Sequence, residues 1–189
     1  MNRLLATLAA AAAASTLLPA CVPLAVVGAG TTAVVAGDRR TTGTYIEDES
    51  IELKSLGVLE PFKTAHVNVT SYNRRVLLTG EAPSEEAKKQ IEDAVKRVDN
   101  VKEVVNELQV GGVSSYASRG SDSLVTSNVK ARMAGNYSKF SALHVKVVTE
   151  AGTVYLMGLL KREEADAAVE VARTTSGVVR VVKVFEYIP

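Results

Sequence analysis

Tryptophan is missing from this 189-residue chain, aromatics make up 5% of it, and it has one cysteine and two histidines. So few aromatics give no stacking platform for single-stranded nucleic acid. A single Cys excludes an intramolecular disulfide and a multi-cysteine zinc site. Charge of one sign is lacking too: 22 Lys and Arg face 21 Asp and Glu, for a net charge of +1. Bulk electrostatics therefore makes no case for nucleic acid as a partner. No nucleophile–base pair can be assembled, so no catalytic residues and no cofactor are expected.

Long unbroken apolar runs are also absent. Residues 1–20 read MNRLLATLAAAAAASTLLPA and precede Cys21. Arg3 supplies a positive start, and residues 4–18 form an apolar stretch of signal-peptide length. Pro19, Pro23, Gly28 and Gly30 interrupt it before the roughly 20 apolar residues of a membrane span are reached. Leu18-Pro19-Ala20-Cys21 resembles the lipobox of bacterial lipoproteins. That resemblance implies a signal peptide at 1–20 and a Cys21 thiol alkylated by diacylglycerol. Acyl chains contributing roughly 0.8 kcal/mol per buried CH₂ would then anchor the chain. Val22, where no Asp stands, is similar to lipoproteins sorted to the outer membrane. Residues 21–45 would be a tether. Gly28-Ala29-Gly30-Thr31-Thr32-Ala33 within it matches G-x-G-x-x-A but lacks the βαβ context of a dinucleotide site.

The chain aligns with itself. Shifted by 78 residues, positions 65–110 lie over 143–188 with 13 identities in 46 positions, where chance gives about three. His66-Val67-x-Val69 meets His144-Val145-x-Val147, and Val76-x-Leu78-x-Gly80 meets Val154-x-Leu156-x-Gly158. Glu85-Glu86-Ala87 meets Glu163-Glu164-Ala165, and Val101 and Val104 meet Val179 and Val182.

Each copy parses alike. Alternating valines predict a half-buried strand, a turn follows at Asn73-Arg74 or Ala151-Gly152, and a second strand runs to Gly80 or Gly158. A helix with an acidic first turn buries Ala87, Ile91, Ala94 and Val98, or Ala165, Val169, Ala172 and Ser176. A last strand is expected at 101–110 or 178–188. Another helix precedes each copy. The second is capped from Ser121, Asp122 or Ser123 and buries Val125, Val129 and Met133; the first, with Ile51, Leu56, Gly57 and Leu59, is less regular. The order is αββαβ, an α+β class with two helices on one face of a three-stranded sheet. Domains are expected at 46–112 and 121–189, with 113–120 of the stretch GGVSSYASRG as linker.

These tandem units, with V-x-V, V-x-L-x-G, an EEA helix and a closing valine strand, resemble BON domains. Asp38-Arg39-Arg40-Thr41-Thr42-Gly43 and Asp48, following the lipobox, are similar to the dual-BON outer-membrane lipoproteins of the DolP family. The resemblance implies a non-enzymatic protein, lipid-anchored in the outer membrane and facing the periplasm, that supports envelope integrity. It also implies anionic phospholipid, such as phosphatidylglycerol or cardiolipin, as a partner. The other expectation is a docking protein for envelope assembly or cell-wall machinery that reads no lipid.

Charge separates the copies. Residues 46–112 carry 9 basic and 13 acidic side chains, and residues 113–189 carry 10 and 7. An anionic bilayer attracts each nearby Lys or Arg by roughly 1 kcal/mol, so the second copy is expected to be the membrane reader. With Val125, Val129 and Met133 inward, Leu124, Ser127, Asn128, Ala131 and Gly135 line another flank of the helix, and Arg132 sits at its edge. These six are the expected phospholipid-binding residues, with Lys130 and Lys139 nearby. Leu124 either inserts among acyl chains or packs on the linker or the first copy. His66 and His144 occupy equivalent positions with no carboxylate spaced beside them, so no metal site is expected. Arg74-Arg75 reads as a solvated hairpin tip. Arg39-Arg40 reads as a contact for headgroups or a partner.

Overall fold

The computed structural model describes residues 37–135 and 139–189; Cys21, the expected signal peptide at 1–20 and most of the expected tether lie outside them. In the first copy, helix α1 (Thr42–Leu59) leads to the hairpin β1 (His66–Tyr72) and β2 (Arg75–Ala82), helix α2 (Glu85–Lys96), and strands β3 (Glu103–Asn106) and β4 (Gln109–Val110). The second repeats the plan with α3 (Tyr116–Ala134), β5 (Val145–Glu150), β6 (Thr153–Leu160), α4 (Arg162–Arg173) and β7 (Arg180–Tyr187). In both, the central strand pairs antiparallel with the strand before it and parallel with those after α2 or α4.

Alternation along β2 and β6 explains both faces of each sheet. Val76 and Leu78 join Ile51, Ile91, Val95 and Leu108 in one core; Val154 and Leu156 join Val125, Val129, Met133 and Ala168 in the other. The intervening residues face away from the helices. Tyr72 and Leu77 of the first copy there meet Tyr155, Met157, Leu159 and Val184 of the second in a third buried cluster. The two domains therefore share a core made from the outer faces of their sheets.

Four local details depart from the sequence reading. Both central strands run past Gly80 and Gly158 rather than ending there. A Cβ at either glycine would run into the backbone carbonyl of His66 or His144, and this close approach explains the glycine's recurrence in the repeat. The closing strand of the first copy is split at Leu108, whose N–H turns to Asn106 Oδ1. Ser176 is exposed and Thr175 is buried in its place, while Leu56 points to solvent.

The fourth is the start of α3. The cap is Ser115, whose hydroxyl accepts from Ser118 N–H, so Tyr116 to Gly120 are helical and not linker. Asp122 is buried within the helix and accepts the N–H groups of Ala151 and Gly152 at 3.0 and 2.9 Å. Asp48 does the same in α1, accepting from Asn73 and Arg74 at 2.8 and 2.7 Å. Each turn has two successive residues at positive φ, with φ of 53° and 66° in the first and 48° and 72° in the second. That is the hairpin geometry that suits the twist of the flanking strands.

Candidate functional site

Helix α3 presents the flank singled out from the sequence. Val125, Val129 and Met133 are buried, whereas Leu124, Ser127, Asn128, Ala131 and Gly135 are all exposed. Leu124 is 68% exposed, so it packs neither on the linker nor on the first copy. Ser123 and Ser127 donate back into their own helix, to the carbonyls of Arg119 and Ser123, which leaves the surface low and smooth. The Arg132 guanidinium donates to Thr175 Oγ1 at 2.7 Å and to Thr174 Oγ1 at 3.1 Å, at the end of α4. Arg132 is thus a positive charge fixed at the rim of the flank, and Lys130, also exposed, projects from the other side of the helix.

The Asp38-Arg39-Arg40 motif is occupied inside the molecule, which corrects the expectation that it meets headgroups or a partner. Arg39 forms a forked pair with Glu164 of α4, at 2.6 and 2.7 Å, and donates to Leu159 O at 2.8 Å. Arg40 is buried between Asp38 and Asp48, at 2.7 and 2.8 Å, with the Tyr72 ring 4.0 Å from its guanidinium carbon. Neighbouring arginines thus tie one segment to both domains. Burial works against the Arg40 charge, but its hydrogen bonds to Asp38 and Asp48 outweigh that and hold its pKa above the ordinary range. The hydrogen bond from Arg39 drives the Glu164 carboxyl down to about 2. Burial, reinforced by Asp38, pushes the Tyr72 phenol up to about 12. A buried pair broken on one side typically costs about 3–5 kcal/mol, so this strap constrains the arrangement of the domains.

The family model described as BON domain matches this chain twice, over residues 52–112 and 121–189. The chain belongs to the BON-domain family, in its dual-domain DolP group. It is 39% identical over 179 residues to the outer membrane lipoprotein DolP of Haemophilus influenzae, covering 93% of this chain and 92% of the relative. It is 36% identical over 155 residues to a 21 kDa hemolysin of Actinobacillus pleuropneumoniae, covering 80% and 79% of the two chains. It is also 28% identical over 145 residues to the osmotically-inducible protein Y of Escherichia coli, covering 72% and 70%.

The two BON domains also meet at polar contacts that local spacing does not reveal. Asn68 donates to Glu150 at 2.8 Å, Arg75 to Phe185 O at 2.8 Å, and Lys146 to Glu52 at 2.8 Å. Arg75 is therefore a bridge between BON domains and not a solvated tip; Arg74 pairs with Glu47 at 2.9 Å. The two histidines part company. His144 Nε2 lies 2.9 Å from Gly37 O on the strap, and His66 Nδ1 lies 3.0 Å from Glu81. The expectation that no carboxylate stands beside a histidine is corrected: Glu81 arrives by cross-strand register and Glu150 by domain packing. Only the first had a local signal, once the hairpin register was known.

Proposed function

We propose that this BON protein is an outer-membrane lipoprotein, anchored through Cys21 and facing the periplasm, whose second BON domain engages anionic phospholipid and supports envelope integrity. The observation that carries this is the solvent-exposed flank of α3, with Leu124 at its N-terminal end and Lys130 and Arg132 at its edges, on the copy with the basic surplus. Fully burying a leucine contributes about 1.5–3 kcal/mol. Each basic side chain near an anionic surface adds roughly 1 kcal/mol. Small residues at Ser127, Ala131 and Gly135 let the helix approach the headgroups. Cys21 supplies residence at the membrane, and α3 supplies the choice of lipid. The role is binding and not catalysis. The relative's name, outer membrane lipoprotein, supports the location.

A second function, docking to an envelope protein, finds support in α1 of the first BON domain. Ile46, Leu53 and Leu56 are exposed there, on the copy with the acidic surplus, which an anionic bilayer repels. Flotation of the unlipidated 22–189 fragment separates the two. Salt-sensitive binding to phosphatidylglycerol or cardiolipin vesicles, without binding to zwitterionic ones, is the expected result. Absence of binding to either would leave Cys21 as the membrane contact and favour docking.

A further inference from the structure

We propose that His66, Glu81 and Glu150 form a binding site for one zinc-class divalent cation that clamps the two BON domains together. His66 opens β1, Glu81 faces it across the hairpin on β2, and Glu150 closes β5 of the other domain. One ligand atom of each lies within 4.8 Å of the other two. A zinc ion with bonds of about 2.0–2.1 Å holds its tetrahedral ligands about 3.4 Å apart, so side-chain rotations of about an ångström close the set. One imidazole nitrogen with two carboxylate oxygens is a donor set that zinc accepts, with the fourth position left for water.

The surroundings point the same way. Glu81 and Glu150 are both buried, and among the described residues neither stands within salt-bridge distance of a lysine or arginine. Two buried carboxylates from different domains, brought together without a basic partner, are a charge arrangement that a divalent cation neutralises. Asn68 donates to Glu150 Oε2 at 2.8 Å and so orients that carboxylate. Of the neighbouring charges Asp122 is already committed, while Arg119 keeps its buried Nε without a hydrogen-bond partner among the described residues. Asp122 accepts the turn N–H groups of Ala151 and Gly152, and Arg119 donates to Ser114 O and lies over the Tyr116 ring. A cavity of about 220 Å³, lined by His66, Asn68, Arg119, Asp122 and Glu150, adjoins two of the three ligands.

The test uses the full-length protein in detergent micelles, stripped with chelator and titrated calorimetrically with zinc chloride. One zinc per chain is expected, with binding weakened at least tenfold in Glu150→Gln and in His66→Gln. Equal affinity in wild type and Glu150→Gln, or no one-to-one binding in wild type, overturns the proposal. X-ray absorption of wild type carrying one equivalent of zinc gives a second reading that needs no variant. One imidazole with oxygen ligands is expected; a shell with no imidazole, or with two, refutes the site.

Discussion

Asp48 and Asp122 hold equivalent hairpin turns but carry different loads, and alanine substitution should reveal the difference. Asp122→Ala orphans two backbone N–H groups, those of Ala151 and Gly152. A buried donor left without its acceptor costs about 1–3 kcal/mol, and at a turn that water can reach the lower end applies, giving about 2–3 kcal/mol in all. Asp48→Ala orphans the N–H groups of Asn73 and Arg74, and in addition the buried Ser71 hydroxyl, which donates at 2.7 Å. It also removes one of the two carboxylates around Arg40, whose side chain is only 7% exposed. With Asp38 still in place, those two further losses add about 2 kcal/mol or more. For a chain of this size each kcal/mol moves Tm by about 2–4 °C, so Asp48→Ala should melt roughly 4–8 °C below Asp122→Ala. Thermal unfolding of residues 33–189, followed by far-ultraviolet circular dichroism, measures it. Equal losses, or a greater loss in Asp122→Ala, would refute the claim that Asp48 joins the strap to the hairpin.

The Arg39–Glu164 pair predicts an acid-sensitive contribution. The Glu164 carboxyl is held down to about 2 in the fold against an ordinary 4.5. Its stabilisation is complete above the ordinary value and is lost as pH falls from about 4.5 to about 2. Glu164→Gln should flatten that part of the stability profile, and an unchanged slope would count against the pair. Gly158→Ala should destabilise by about 1–3 kcal/mol, because the new methyl meets the His144 carbonyl in a packed sheet; urea unfolding reads this, and a neutral result would show that the strand has room to shift.

The repeat made the αββαβ plan legible, because alternating valines and the 3.6-residue period each occur twice in register. What escaped was set by contacts between elements. The 78-residue offset does not extend to the leading helices: Asp48 and Asp122 correspond at a spacing of 74, so their shared task was hidden by a difference in the loop that follows. The early start of α3 was masked by Gly120 and a run of serines, residues of modest helix propensity that tertiary packing overrides. Leu77, Tyr155 and Met157 lie on the sheet faces turned away from the helices, and the meeting of the two sheets buries them, which no pattern within one copy shows. The exposed flank of α3 was legible because burying Val125, Val129 and Met133 fixes which residues of the helix remain outside. Arg39 and Arg40 looked free because the carboxylates that tie them to the domains, Glu164 and Asp48, lie 125 and 8 positions away in sequence.

Leu124 and Leu53 are both 68% exposed on the leading helices of their domains, which allows exposure and location to be separated in one experiment. Leu124→Glu and Leu53→Glu are compared with wild type by flotation on phosphatidylglycerol vesicles. If α3 of the second BON domain reads the membrane, Leu124→Glu forfeits about 2 kcal/mol of apolar insertion and adds a repelled charge worth roughly 1 kcal/mol. Together these weaken binding by about a hundredfold, at 1.4 kcal/mol per tenfold, while Leu53→Glu floats like wild type. Unchanged binding by Leu124→Glu, or loss of binding in Leu53→Glu instead, would contradict the assignment of lipid recognition to the second domain.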